Sequence, residues 1–409
     1  MKVSFHLKSF YQHNKLPFLL LLSGMLLFAI SMLVQHFYIG IIPPAVSVLH
    51  YLSYLSVLLA FFIFFVKKKR YILANISMLA LLLLLLEIVC FCLLGFPSKE
   101  RKDFSLPFLP PEHIASHIGT VPYGDSIYHD VKTEFSDTLF DVHYSFDHNA
   151  KRITPDFDSS RKQYALFFGC SIAFGYGLND NQTLPYYFQQ NSNQYNAYNY
   201  AYQGYGTQHM LARFEYEDLS KQVKEKQGVA FYVFMWDHIK RAIATMDRYT
   251  QWLSASPYYT FESDSLVRKR MFKDGRYVVS KLYELIYQSS IIKYFKIDFP
   301  IKLKDRHFEL VSAMIEKSKQ IYAKQFGNDR FYVVFYPTYP QASKEELDHF
   351  KTFLDKKHLK YIDLSQRIAY SPKYSLRGDP HPNANTNKLM AEEIVRHLPQ
   401  NDCLAIQIK

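Results

Sequence analysis

The chain has 409 residues, 49% of them hydrophobic, with a formal net charge of +11 at pH 7. That length exceeds a usual single domain, so more than one unit is expected. The charge lies largely beside apolar stretches and is otherwise scattered rather than gathered in one stripe, which argues against nucleic acid as a partner.

Three apolar runs open the chain. Leu16 to Val34 carry no charge and match the length of a bilayer crossing. Ile41 to Val66 form a second run, interrupted by Pro43-Pro44 and His50, and Tyr71 to Gly95 a third with one acid, Glu87. A cleaved signal has a shorter apolar core and is not followed by two further spans, so the expectation is a three-helix transmembrane anchor over residues 1–95. Lys2, Lys8 and Lys15 precede the first run, and Lys67-Lys68-Lys69-Arg70 separate the second from the third. Basic residues mark cytoplasmic loops, which places the N-terminus and the KKKR loop inside and sends the third span outward. Lys99, Arg101 and Lys102 oppose this, but large domains translocate largely regardless of charge. The chain is thus expected in the cytoplasmic (inner) membrane, multi-pass, with the bilayer as partner and the remaining residues on the extracytoplasmic side. An acid within a span is a functional candidate; a neutral carboxyl, or one turned toward the other helices, is the plainer reading of Glu87.

Residues 96–162 read as a stalk and packing segment. Pro107, Pro110 and Pro111 favour an extended course. The Asp-, His- and Tyr-rich part that follows is too aromatic for a flexible linker and is expected to add an edge to the next domain.

From Tyr164 the pattern alternates. Tyr164 to Phe168 are a continuous apolar run that suits a central parallel strand, and Gly169, Gly175 and Gly177 punctuate the turn after it. Ser171 stands at that turn, at the strand's carboxyl end, where open α/β sheets place ligands. A helix is predicted from Leu184 to Gln190, a strand from Tyr195 to Tyr202, a helix from Gln208 to Val223 and a strand from Val229 to Met235. Further strands are predicted at Phe331 to Tyr336 and Tyr361 to Leu364, with a helix over Lys344 to Phe353 between them. Strands alternating with helices imply a doubly wound, three-layer α/β/α parallel sheet over residues 163–400. Residues 240–328 break the alternation and are read as a helical insertion able to cap a site. Its aromatics (Tyr249, Trp252, Tyr258, Tyr259 and Phe261) are more simply core than a sugar-stacking surface.

Near the end, GDPHPN spans Gly378 to Asn383, and the apolar spacing of Leu389, Met390, Ile394, Val395 and Leu398 predicts a final helix. Asp379 lies two residues before His381 on a loop stiffened by Pro380 and Pro382, a suitable base and orienter for a serine nucleophile. The four cysteines make no metal pattern: Cys90 and Cys92 lie in the third run, Cys170 beside Ser171 and Cys403 in the tail. No metal and no cofactor are expected. Cys170 as nucleophile is the lesser reading, because a neighbour on a strand end points inward.

Taken together, Gly169-Cys170-Ser171, Asn199 with Gly204 five residues on, and Asp379-x-His381-Pro382 occur in the order of the SGNH (GDSL-type) hydrolase blocks. The chain resembles that family over about Gln163 to Leu398, and GCSIAFGYG is similar to its GCSFTFG-type subgroup. The third block departs: VAFYVFMW runs into Asp237-His238-Ile239-Lys240-Arg241 with no asparagine. The resemblance implies a catalytic Ser171, His381 and Asp379, an oxyanion hole from the backbone of Ser171 and Gly204, and a block-two asparagine at Asn199. His238, if protonated, is the candidate for the missing donor. It also implies a serine ester hydrolase, which the extracytoplasmic setting directs toward O-acetyl or O-acyl groups on envelope carbohydrate, or toward a lipid substrate. An acyltransferase using the same site is one alternative. A non-catalytic binding or assembly protein is another, against which the intact Ser171, Asp379 and His381 argue.

Overall fold

The computed structural model describes residues 14–37, 44–95, 112–115, 117–134, 137–337, 341–369 and 371–398. The prolines of the expected stalk, the basic residues at 99–102 and Cys403 lie outside these. By packing, the chain divides into two units: one takes the first 105 residues together with Leu285–Ile297, the other Leu106–Glu284 and Asp298–Lys409.

The first unit contains α1 (Lys15–Phe37), α2 (Pro44–Lys67) and α3 (Tyr71–Leu94). All three are long and apolar enough to cross a membrane. Their outward leucines, isoleucines and phenylalanines are exposed, as expected of helices that present hydrocarbon to lipid. Ser53 closes the α1–α2 contact by donating to the Gly24 carbonyl at 2.7 Å, and a Cβ at Gly24 would stand 2.7 Å from the Val57 side chain. A small residue here lets the two backbones approach.

The second unit opens with two hairpins, β1 (Glu112–Ala115) with β2 (Gly119–Pro122), and β3 (Ser126–Glu134) with β4 (Asp137–Phe146). Then follow β5 (Gln163–Phe168), α4 (Ser171–Phe174), α5 (Leu184–Ser192), β6 (Tyr195–Asn199), α6 (Thr207–Tyr216) and β7 (Gln227–Phe234). After β7 come α7 (Asp237–Ile243), α8 (Met246–Gln251), the hairpin β8 (Pro257–Glu262) and β9 (Ser265–Met271), and α9 (Phe272–Gly275). The chain continues through α10 (Tyr277–Ile286), α11 (Ser290–Tyr294), α12 (Asp305–Phe326), β10 (Phe331–Phe335), α13 (Lys344–Asp355) and β11 (Lys360–Asp363). It ends with the short pair β12 (Ser375–Leu376) and β13 (Asp379–Pro382), and then α14 (Ala384–Arg396).

The central sheet runs β11-β10-β7-β5-β6 with every pairing parallel. In chain order that is a 2-1-3-4-5 arrangement, whose connections reverse direction between β5 and β7. Alternation along β5 explains its continuous apolar run. Ala165 and Phe167 enter the core beneath α5, α14 and the β3–β4 hairpin. Tyr164, Leu166 and Phe168 enter the opposite core, with α6, α12 and α13. Both faces are covered, giving the three-layer α/β/α architecture.

The β3–β4 hairpin adds an edge: Arg152 bridges Phe146 to Asn199 at the end of β6. The expected helical insertion needs correction. Its last part, α12, is the crossover helix between β7 and β10, burying Phe308, Val311, Met314, Ile315 and Tyr322 at helical spacing against the sheet. Its middle holds the β8–β9 hairpin, where Tyr259, Phe261 and Leu266 satisfy a strand's alternation.

Candidate active site

Cys170 to Gly177 make the site's first side. Gly169 has φ of +150°, and a Cβ there would meet the Val233 carbonyl at 2.9 Å, so only glycine lets β5 turn this tightly beside β7. Ser171 then starts α4 at the carboxyl edge of the sheet, beside the reversal between β5 and β7. The turn after it is held from within. The buried guanidinium of Arg152 donates through Nη1 to the Phe174 and Gly175 carbonyls (2.7 Å each), through Nη2 to Leu178 (2.5 Å) and through Nε to Asp180 (2.8 Å). Asn199 Nδ2 donates to the Ala173 and Phe174 carbonyls at 3.1 and 3.3 Å, and its Oδ1 accepts from the Ala201 N–H. Asn199 therefore shapes the serine turn and the loop after β6.

The second side arrives 210 residues later. His381 Nε2 lies 2.7 Å from Ser171 Oγ, and Nδ1 lies 2.5 Å from Asp379 Oδ1. Asp379 also accepts from the His381 backbone N–H at 2.9 Å. An ionised Asp379 requires its proton partner at Nδ1, which leaves Nε2 to accept the Ser171 hydroxyl proton. Tyr176 packs against the imidazole with ring centroids 4.7 Å apart. Lys132 on β3 donates to Asp379 Oδ2 at 2.8 Å. Burial opposes ionisation of Asp379, but the His381 hydrogen bond and charge, with Lys132, outweigh it and hold its carboxyl far below the usual carboxylate range. The three residues brought together from Ser171, Asp379 and His381 form one hydrogen-bonded row.

Ser171 and His381 open onto a cavity of about 450 Å³ whose other walls are Thr120, Gln203 to Tyr205, His209, Arg241, Gln251, Trp252 and Ser254 to Ser256. Gly204 lines it as expected, at φ of +75°, its carbonyl accepting from Trp252 Nε1 at 3.2 Å. A Cβ at Gly204 would stand 3.1 Å from that same nitrogen.

His238 is a correction. It is fully buried away from the cavity lining, stacked on Tyr232 and bonded through Nδ1 to the Tyr232 hydroxyl at 2.7 Å. Burial, then the Arg241 charge, pushes its pKa well below the ordinary value, so it stays neutral. The residue that reaches the cavity from this segment is Arg241, one helical turn after Asp237, with Nε 2.7 Å from Asp237 Oδ2 and Nη1 donating to the Tyr205 carbonyl at 2.8 Å. Arg248 adds a 3.0 Å bond to Asp237 Oδ1. Burial raises the Asp237 pKa, but these two guanidiniums override it and bring it down to about 2.

Two further groups were not singled out in the sequence. Gln203 is only 7% exposed, lines the cavity and has an Nε2 with no hydrogen-bond partner. The one signal was its place just before Gly204. His209 accepts the Gly206 N–H on Nδ1 (3.0 Å), so its Nε2 carries the proton and donates to Ser256 Oγ at 3.1 Å. It therefore cannot take a proton from Ser256, and this second Ser–His pair is not a nucleophile with its base. Cys170 is buried with Sγ 3.3 Å from Met235 Sδ and does not line the cavity. Of the insertion's aromatics, Tyr249 and Tyr259 are core, while Trp252 reaches the cavity between Arg241 and Arg248. Among the described residues no group of three or more His, Cys, Asp or Glu side chains could hold a metal.

No protein-family model and no curated protein matches the sequence. Solved structures similar to it include TesA, at 10% identity over 57% of this chain and 97% of that one, with a TM-score of 0.36. A member of the lipolytic protein G-D-S-L family from Veillonella parvula DSM 2008 is 13% identical over 58% and 98%, TM-score 0.32. An acetyl xylan esterase (Est2A) from the rumen bacterium Butyrivibrio proteoclasticus is 9% identical over 60% and 65%, TM-score 0.35. With a 2-1-3-4-5 parallel sheet and a serine, a histidine and an aspartate in one row at its carboxyl edge, the second unit resembles the SGNH (GDSL-type) hydrolases.

Proposed function

We propose that the chain is a membrane-anchored serine ester hydrolase that removes O-acetyl or O-acyl groups from carbohydrate outside the cytoplasm. The observation that carries this reading is the row Ser171–His381–Asp379, with contacts of 2.7 and 2.5 Å, opening onto a cavity of about 450 Å³. Ser171 Oγ attacks the ester carbonyl carbon while His381 Nε2 takes its proton, and Asp379 keeps the imidazole in the required tautomer. The tetrahedral intermediate collapses as His381 returns that proton to the departing sugar oxygen, leaving an acyl-serine. Water then attacks, His381 takes its proton, and the acid departs as Ser171 regains its hydrogen.

The developing oxyanion is received by the N–H groups of Ser171 and Gly204 and, in place of the absent third-block asparagine, by Gln203 Nε2, a buried amide donor facing the same cavity. The hydroxyl and amide lining of Thr120, Gln251, Ser254 and Ser256 supports a polyol substrate, and the volume suits a small acyl group with one sugar. The three apolar helices and the basic KKKR loop support an extracytoplasmic domain in the cytoplasmic membrane.

The test is labelling of the full-length protein by a fluorophosphonate, with turnover of p-nitrophenyl acetate, beside Ser171→Ala and His381→Ala. Labelling and turnover vanish in S171A and fall steeply in H381A. A folded wild type that neither labels nor turns over refutes the serine mechanism. Acylated product on an added glycan, instead of free acid, would assign the same site to transfer.

A further inference from the structure

Glu87 is the only acid in the three apolar helices, and its partners are not other span residues alone. Its carboxylate accepts from Ser289 Oγ at 2.6 Å, from the Ser290 N–H, and from the Ile291 N–H at 3.2 Å. Tyr51 on α2 completes the cluster, 3.4 Å from Glu87 and 3.3 Å from Ser290 Oγ. The segment Leu285–Ile297, more than 190 residues further along the chain, thus packs as part of the helical unit.

The depth of this contact follows from helix geometry. Glu87 lies about 10 Å before Leu94, the end of α3, and Tyr51 lies about 10 Å after Pro44, the end of α2 on the same side. Helices of 24 residues are about 36 Å long and exceed a hydrocarbon layer of about 30 Å by roughly 3 Å at each end. Both measures put Ser289 to Ile291 some 7 Å inside the apolar layer.

Backbone at that depth must be bonded within the protein. It is: the N–H groups of Gln288, Ser289, Lys293, Phe295, Lys296 and Ile297 donate to carbonyls of the same segment. The Ile292 N–H meets Ser289 Oγ, and those of Ser290 and Ile291 meet Glu87. Leu285, Tyr294 and Phe295 present apolar surface outward, 66%, 40% and 57% exposed, beside the exposed polar side chains of Gln288, Lys293 and Lys296. Lys293 and Lys296, on long flexible stems, can carry their charge outward to headgroups.

We propose that Leu285–Ile297 is a re-entrant segment that dips into the leaflet on the α3 carboxyl-terminal side, with Glu87 as its latch and phospholipid acyl chains as the occupant of its exposed apolar face. This rests on the reading of α1 to α3 as membrane spans. It gives Glu87 a purpose that a lipid-facing acid could not have: its carboxyl oxygens accept from three donors that the re-entrant turn would otherwise leave unbonded.

The test uses full-length protein in nanodiscs of phosphatidylcholine and phosphatidylglycerol. Phe295→Trp and, separately, Leu285→Trp add a fluorophore, and wild-type emission is subtracted. The added emission is expected to be blue-shifted, lost when the lipids are brominated along their acyl chains, and insensitive to aqueous acrylamide. In the pair Phe295→Trp with Glu87→Gln, the weakened latch is expected to restore part of the emission in brominated lipid and admit acrylamide. Acrylamide quenching without bromolipid quenching in both single variants overturns the re-entrant segment, and no change with Glu87→Gln overturns the latch. Alkaline carbonate extraction of the same samples separates these failures from a failure of the spans, since only loss of the anchor releases the protein.

Discussion

Replacing Gln203 tests the proposal that its amide stands in for the missing third-block asparagine. Its Nε2 has no partner in the folded protein, so truncating it to alanine breaks no hydrogen bond made through that atom and should leave stability nearly unchanged. The cost should fall instead on the transition state. Loss of one oxyanion donor is worth about 3 kcal/mol, or roughly a hundredfold to a thousandfold in kcat, with KM little altered. Gln203→Glu keeps the shape, removes both N–H donors and places an acceptor where negative charge develops, so it should be at least as slow as Gln203→Ala. Steady-state kinetics with p-nitrophenyl acetate would be paired with the rate of fluorophosphonate inactivation, because the phosphonyl oxygen occupies the same hole. Both rates should fall by similar factors while Tm moves little. A kcat within about threefold of wild type with a raised KM would show that Gln203 binds substrate in its ground state and would refute the assignment.

Two other changes follow from the same geometry. Arg152→Met would strip a guanidinium donor from the Phe174, Gly175 and Leu178 carbonyls and leave Asp180 without its buried partner; breaking such a pair costs about 3–5 kcal/mol, read as a fall in Tm, and loosening of the serine turn should lower kcat as well. His209 is buried neutral: burial first, then Arg241 and Arg213, brings its pKa down to about 3, against an unfolded value near 6.5. Unfolding therefore takes up a proton below pH 6.5, so stability is complete above that pH and declines by up to about 1.4 kcal/mol per unit down to pH 3. Tm of His209→Gln should depend less on pH than wild type between 6.5 and 4, and parallel pH profiles for the two would refute the assignment.

Much of the site was legible because its residues carry local signals. Glycines around Ser171, prolines around His381 and the Asp379 spacing each reflect a backbone constraint that shows within a few residues. The alternating strands and helices were legible for the same reason, since a strand covered on both faces must be apolar throughout. The insertion is legible least where local pattern is weakest: β8 and β9 are short and half-exposed, and α12 follows them in the chain although its apolar face belongs to the sheet. His238 attracted notice by proximity to the strand end. Helix geometry instead turns it into the core and brings Arg241, a turn later, to the cavity.

By itself the sequence determined three apolar spans, a parallel α/β domain and the identity of the serine, histidine and aspartate, because each depends on contiguous pattern. Only the tertiary structure decided which groups serve them. Lys132 reaches Asp379 across 247 positions, Arg152 clamps the turn after Ser171, and Gln203 keeps a buried amide free beside the serine. Glu87 meets Ser289 to Ile291 across just over 200 positions. Such contacts join points far apart in the chain, so nothing in local periodicity encodes them. They arise when packing removes water and each buried charge or donor must find a partner within reach.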